Sequence, residues 1–267
     1  MKHEKGTHVL QIIFPDHQTS HSHMDINVPS TFLDLYKRFT SAIHLKKCQK
    51  YFFFFLEHQH HPAYLPTSIQ IYKEIYMKTS LGPKILAQPS PVWVIGSYDR
   101  KGNPNVMTAA WCGICCSQPP CLAVSIQTPR YSFPGIMEHK AFTVNIGSVD
   151  QINAVDYFGM VSGSKEDKFK ATSLTPVRGE KVDAPYIDEF PLIVECKVVG
   201  VNELGVHTQF VGEIMDVKAD PSVLDDKGRP DITKVRPFVF TPGNRAYHAI
   251  GDYLGQGFNL GKIFMTK

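Results

Sequence analysis

From Pro91 onward the chain alternates short apolar runs with turn residues. Val92–Tyr98 is rich in β-branched and aromatic residues, and Asp99-Arg100-Lys101-Gly102-Asn103 behind it is a turn signal. Val106–Ala110 predicts the returning strand. Pro119-Pro120 interrupts the pattern, and Cys121–Ile126 predicts a short apolar strand. Ser132 predicts the cap of a short helix, with Pro134 tolerated in its first turn. Phe142–Ile146 predicts another strand. Ser148, followed three residues later by Gln151, predicts a capping box for a helix running to about Tyr157. Leu192, Val194, Cys196 and Val198 then alternate with Ile193, Glu195, Lys197 and Val199. That imperfect period of two predicts a sheet buried mainly on one side. Val206–Val217 predicts a long strand and Val235–Phe240 a late one. Strands that are short and separated by turns, with few helices among them, predict a mainly β fold. The expected form is a β-barrel with peripheral helices, not a doubly wound parallel sheet.

The first 76 residues do not follow this pattern. They hold nine of the twelve histidines and one of the nineteen glycines, Gly6. They contain the aromatic run Tyr51-Phe52-Phe53-Phe54-Phe55-Leu56 and the cluster His58-Gln59-His60-His61. Histidine clusters bind metals, but no Cys, Asp or Glu falls at a regular ligand spacing here, so no metal site is expected. A short amphipathic stretch around Phe32–Phe39 offers slight support for a helix. Residues 1–76 are expected to be an extension of doubtful order, outside the native protein, with Met77 as the natural start. Residues 77–267 are expected to form the functional domain.

Composition narrows the function classes. With 43% hydrophobic and 20% charged residues, the chain has the balance of an ordinary globular protein. A formal net charge of +3 without an arginine-rich stripe argues against a nucleic-acid partner. No apolar run reaches the length of a membrane span, so no membrane partner is expected. No basic start leads into an apolar core and a cleavage site, which predicts a cytoplasmic protein. There is no GxGxxG after a strand and no GxxxxGK[ST], so neither nucleotide motif is indicated.

Candidate chemistry concentrates between Asn105 and Ser132. This stretch joins a small-residue turn region, the Pro-Pro break, an apolar strand, and a polar loop ending in Arg130, Tyr131 and Ser132. Alanines allow close backbone approach to a planar ring, and Trp111 supplies aromatic surface. A guanidinium clasps phosphate oxygens in two places while hydroxyls add further bonds. Taken singly, Ala109, Ala110 and Trp111 are core residues and Arg130 is a solvated charge; their order carries the reading. Cys112, Cys115, Cys116 and Cys121 lie close together. Cys112-x-x-Cys115 has the spacing of a redox pair or half a zinc site, but no second pair completes one. Small, soft, buried residues filling space beside a ligand or a dimer contact are the expected role.

In this order the motifs resemble the flavin reductase-like, FMN-binding split-barrel proteins, and most closely the flavoredoxin branch. The resemblance runs from about Met77 to Lys262. It includes Lys140–Ile146, a strand ending near Asn145, and the loop Phe158–Phe169 carrying Ser162-Gly163 and Asp167-Lys168-Phe169. It also includes Gly205–Ile214, with His207 ahead of a Gly-Glu pair, and the ending Tyr247–Leu260. The resemblance implies an antiparallel Greek-key split β-barrel that binds FMN between the subunits of a homodimer. It implies reduction of FMN by NADH or NADPH, with electrons passed to an acceptor that the sequence does not name. The alternatives are a non-enzymatic FMN electron carrier and a split-barrel module for another ligand. Asn105, Thr108, Ala109, Ala110, Trp111 and Cys112 would hold the isoalloxazine. Thr128, Arg130 and Ser132 would hold the phosphate. Asn145 would lie near the ligand, Ser162, Gly163 and Lys168 would cover the ribityl phosphate, and His207 would face the flavin or the nicotinamide as the one candidate catalytic residue.

Overall fold

The computed structural model describes residues 7–14, 22–29 and 78–265, with side chains for 78–265. Two units divide the chain, Met1–Gly82 and Pro83–Lys267. In the first, β1 (Thr7–Phe14) and β2 (Ser22–Pro29) pair antiparallel, Thr7 opposite Pro29 and Phe14 opposite Ser22. This hairpin is not among the elements the sequence predicts. The expected features at Phe32–Phe39, Tyr51–Leu56 and His58–His61 lie outside the described residues, as does Cys48.

The second unit is built on one seven-stranded antiparallel sheet. Its strands are β4 (Trp93–Tyr98), β5 (Pro104–Ala109), β6 (Cys112–Ser117), β7 (Pro120–Gln127), β8 (Ala141–Ile146), β11 (Leu192–Leu204) and β12 (His207–Ala219), in the order β5-β4-β8-β11-β12-β7-β6. Its two edge strands, β5 and β6, are consecutive in the chain and joined by Ala110-Trp111 alone. Three residue steps span no more than about 11 Å, so the edges must meet at that end, and a sheet whose edges meet is curled. The core agrees. One apolar cluster holds Ile95 of β4, Ala109 of β5, Val124 of β7, Phe142 of β8, Cys196 of β11 and Phe210 of β12, with Cys112 of β6 packed against it. Side chains from all seven strands thus line one interior. No hydrogen-bonded ladder joins β5 to β6, and this gap is the split in the barrel.

Outside the barrel, two small sheets complete the unit: β10 (Pro185–Ile187) with β9 (Pro176–Arg178), and β14 (Ala246–Ala249) with β13 (Phe238–Thr241) and β3 (Ser90–Pro91). Four helices accompany them: α1 (Ser132–His139), α2 (Ile152–Met160), α3 (Lys168–Thr172) and α4 (Ile232–Val235). A second apolar cluster lies between the sheet's other face and these pieces. It contains Val94, Val106, Val155, Phe158, Phe169 and Phe238. The barrel wall is therefore buried on both faces where α2 and α3 cover it. This explains why β4 reads as a nearly continuous apolar run.

Several predicted elements need correction. Cys112–Ser117, read as a small-residue turn, is the edge strand β6, paired with β7 across a turn at Gln118-Pro119. Exposed small residues carry no period-two signal, which hid the strand. Ser132 is not the helix cap: Tyr131 occupies that position with no capping side chain, and Ser132 is the first helical residue. The predicted strand Val235–Phe240 begins only at Phe238, because Val235 closes α4. The capping box does form: Ser148 N–H donates to Gln151 Oε1 at 2.7 Å, and Ser148 Oγ accepts from Asp150 N–H. The alternation in β11 breaks at Glu195, which is fully buried. Its carboxylate accepts backbone N–H bonds from Glu180, Lys181 and Val182 and pairs with Lys218 at 3.3 Å. A buried carboxylate persists only with such partners, so Glu195 fastens the 179–182 loop to the barrel.

Candidate functional site

Strand β5 is the spine of the site, and its period of two sorts the residues. Asn105, Met107 and Ala109 point to one face, Val106 and Thr108 to the other. Asn105 is buried, and its Nδ2 donates to Ser132 Oγ at 2.7 Å. Ser132 opens α1, directly after the loop 128–131 that follows β7. Helix α1 reaches this position because Gly135 lies against β4; a Cβ there would sit 1.8 Å from the Tyr98 carbonyl oxygen. A third segment closes on the same spot. A Cβ on Gly163 would lie 2.1 Å from Asn105 Oδ1 and 2.7 Å from the Tyr131 ring, so only glycine permits this approach. Asn105, Ser132 and Gly163, far apart in sequence, thus meet at one point. Ser162 is half-buried beside it, its hydroxyl bonded to Ser164 Oγ.

Tyr131 locks the loop from outside. Its hydroxyl donates to Asp99 Oδ2 at 2.8 Å. Burial pushes Asp99 upward, but bonds from Asn103, Tyr131 and the Lys101 backbone outweigh it and hold the carboxyl at about 2. Asp99 therefore stays ionised as an anchor. Sequence reasoning read Asp99 only as a turn residue and gave Tyr131 no role. An aspartate that organises a turn and also reaches a tyrosine 32 positions away leaves no local signal.

The charged residues divide between scaffold and opening. Lys168 is 4% exposed, and its ammonium donates to the carbonyls of Val106 at 2.8 Å and Phe158 at 2.9 Å. It clamps the end of α2 to β5 and is more deeply placed than a residue draped over a ligand. Burial and then the nearby Arg130 charge lower its pKa to about 8. Thr108 is also drawn inward, its hydroxyl bonded to the Val155 carbonyl of α2. Thr128 and Arg130 are exposed, and among the described residues Arg130 makes no ion pair. The backbone fixes Arg130 all the same: its N–H donates to Gln127 O, and its carbonyl accepts from Phe133 N–H.

At the other end of β5, Ala109 is buried, while Ala110, Trp111 and Cys112 are half-buried where the barrel splits. The Trp111 carbonyl accepts from Ser125 N–H at 2.8 Å. Burial pushes the Cys112 thiol up to about 12, so at neutral pH it is not a thiolate. The expectation of buried cysteines is corrected for two of the four: Cys115 and Cys116 are exposed on the edge strand β6, while Cys121 is buried opposite Cys116. His207 begins β12, opposite Gln127 of β7, and therefore borders the 128–131 loop. Asn145 does not reach this region. It is fully buried in β8, both amide protons donate, to Val94 O and Thr143 Oγ1, and its Oδ1 accepts from Ile187 N–H. The expectation that it lies near a ligand is corrected to that of a strut joining β4, β8 and β10. Among the described residues no group of His, Cys, Asp and Glu has a metal-holding arrangement.

Known proteins share this fold. The chain is similar to flavoredoxin of Desulfovibrio vulgaris (Miyazaki F), at 52% identity and a TM-score of 0.67, over 70% of this chain and all of that one. It is similar to flavoredoxin from Methanosarcina acetivorans, at 34% identity and a TM-score of 0.64, over 71% of this chain and 98% of that one. An uncharacterised protein of Archaeoglobus fulgidus is 40% identical over 130 residues, 49% of this chain and 72% of that protein. The family described as flavin reductase like domain matches residues 86–248, which take in both edge strands, the 128–131 loop, Gly163 and Lys168. The chain belongs to the flavin reductase-like domain family, with the split-barrel fold of the flavoredoxins.

Proposed function

We propose that this protein binds FMN and acts as an oxidoreductase, accepting a hydride from NADH or NADPH and passing electrons to an acceptor. The observation that carries the reading is the junction where Asn105, Ser132 and Gly163 meet, next in the chain to the exposed Thr128 and Arg130. The Arg130 guanidinium is exposed and, among the described residues, has no ion-pair partner, and its charge helps to lower the pKa of the buried Lys168. An unpaired guanidinium on a backbone-fixed turn with hydroxyls beside it suits a phosphate. Arg130 would clasp that phosphate with the Thr128 hydroxyl beside it. The Ser132 hydroxyl, which accepts from Asn105, keeps its own proton to donate. Lys168 would add positive charge from beneath while its ammonium holds the Val106 and Phe158 carbonyls. Ala109, Ala110, Trp111 and Cys112 would border the ring at the split, where half-buried small residues leave the backbone accessible.

When bound, FMN supplies two-electron chemistry with a nicotinamide and one-electron chemistry with other partners. The chain's own task is to hold and orient, because hydride transfer needs proximity and alignment more than a protein acid or base. His207 would line the face toward the donor. The reading includes a cytoplasmic homodimer with the ring end of the site at the subunit interface, and residues 1–76 as an extension dispensable for FMN binding.

The test is to purify the full chain, load it with FMN and follow NADH and NADPH oxidation with added flavin. Turnover supports the reading. A folded protein that takes up no FMN overturns it. A protein that binds FMN but oxidises neither nucleotide is a pure electron carrier. The 52% identity to a flavoredoxin keeps that second reading in view.

A further inference from the structure

The C-terminal segment behaves differently from the rest of the barrel unit. Every residue from Ile250 to Met265 except Gly255 is exposed. Five large apolar side chains in this stretch, Tyr253, Leu254, Phe258, Ile263 and Phe264, are each at least 79% exposed. The segment has shape nonetheless. It turns at Gly255, where a Cβ would meet the Leu260 side chain at 2.7 Å, and ends in a single turn of 3-10 helix over Leu260–Phe264. Its charges, Asp252 and Lys262, cancel. A neutral, aromatic-rich arm with its side chains in water has a strong drive to be covered.

The same unit has a second uncovered apolar region. Strand β6 is an open sheet edge on which Ile114 is 79% exposed. Val199, Leu204 and Val206 are exposed on the β11–β12 hairpin. Open edges carrying apolar residues are ordinarily protected. One chain thus carries both an apolar arm and an apolar, edge-exposing surface.

We propose that the Ile250–Met265 arm docks on a second copy of this chain, against the surface around β6 and the β11–β12 hairpin, and that the exchange is reciprocal. A two-fold arrangement covers both regions twice with one kind of contact. The area is sufficient. Each buried aromatic contributes roughly 150 Å² or more, so Tyr253, Phe258 and Phe264 alone bring about 450 Å² per copy. With the aliphatic side chains, the receiving surfaces and the second arm, the total reaches the scale of a standard interface, about 1,600 Å². The reach is also adequate, since sixteen residues span up to about 50 Å when extended. Near-zero arm charge favours a protein surface over an anionic membrane, which selects basic segments. The proposal rests on the homodimer reading above and adds to it the element that holds the subunits together.

Sedimentation velocity across a concentration series tests it. Three proteins are compared: the full chain, a chain truncated after Ala249, and a full-length Tyr253→Asp/Phe258→Asp variant that keeps the arm's length. The expected result is a dimer for the full chain and at least tenfold weaker association for both altered proteins, with far-UV spectra unchanged. A dimer of unaltered affinity in the double variant overturns the arm's role while the homodimer reading survives. A monomer in all three overturns both. A monomeric full chain that sediments with vesicles of phosphatidylcholine and phosphatidylserine, but not once truncated, assigns the arm to membranes and overturns the proposal.

Discussion

Asn145 and Arg130 are both polar residues in the conspicuous motifs, yet they sit in regions built in opposite ways. Around Asn145, everything polar is spent inside the protein. Its amide joins β4, β8 and β10 through three hydrogen bonds, and Thr143 Oγ1 donates in turn to the Pro185 carbonyl. Around Arg130, the backbone is fixed by turns while the guanidinium remains open, with Lys168 behind it. The difference shows that burial alone does not mark a site. What marks it is fixed geometry combined with donors that the fold leaves unused.

The sharpest way to break this contrast is at the strut. Asn145→Leu leaves the Ile187 N–H and Val94 carbonyl buried without partners, each worth about 1–3 kcal/mol. We expect a loss of about 3 kcal/mol in urea unfolding, with the FMN affinity of the remaining folded protein little changed. A variant of full stability with lost FMN binding would move Asn145 into the site.

Arg130→Ala is the converse. Removing a charge-assisted bond to phosphate costs about 1–3 kcal/mol of binding, while an exposed side chain contributes within about 0.5 kcal/mol to stability. Fluorescence titration with FMN and urea unfolding on one sample separate the two effects. Equal FMN affinity in the variant removes Arg130 from the site.

Lys168 gives the pH dependence. Burial and Arg130 lower its pKa to about 8, so its charge is present below that value and lost above it. FMN affinity should fall as pH rises through about 8, and Lys168→Met should flatten the profile. Stability moves the other way. The unfolded chain keeps the lysine proton up to its ordinary pKa near 10.5, so between about 8 and 10.5 it binds more protons than the folded chain. Stability of the flavin-free protein therefore rises with pH in that window, relative to the variant. A falling difference would contradict the buried clamp.

The smallest effect is expected at the cysteines. In the Tyr253→Asp/Phe258→Asp variant, where the β6 edge is left uncovered, brief treatment with iodoacetamide should label the exposed Cys115 and Cys116 before the half-buried Cys112, read by peptide mass. NADH oxidation by a Cys112→Ala variant should stay within about twofold. A larger loss would return that thiol to the chemistry.

The barrel was legible where apolar side chains face a core. β4, β7, β8 and β12 carry β-branched or alternating runs, and the Ser148–Gln151 box marks the 3-10 turn Val149–Gln151 that leads into α2. It was not legible where an edge strand is exposed. β6 spells Cys-Gly-Ile-Cys-Cys-Ser, and its strand state is set by pairing to β7. The cluster of motifs was readable as order, but period two did the finer sorting. It turns Asn105 and Thr108 to opposite faces of β5, so one meets Ser132 and the other meets α2. Asp99 was missed because its partner, Tyr131, lies beyond any local window.

The central claim is that the exposed Arg130 guanidinium, supported by the charge of the buried Lys168, reads a phosphate. Comparing FMN with riboflavin, which lacks only that group, isolates it in one titration series on the full chain. FMN should bind at least tenfold more tightly than riboflavin, and Arg130→Ala should erase most of that difference. Equal affinity for the two flavins, or a difference that survives in the variant, would contradict the account.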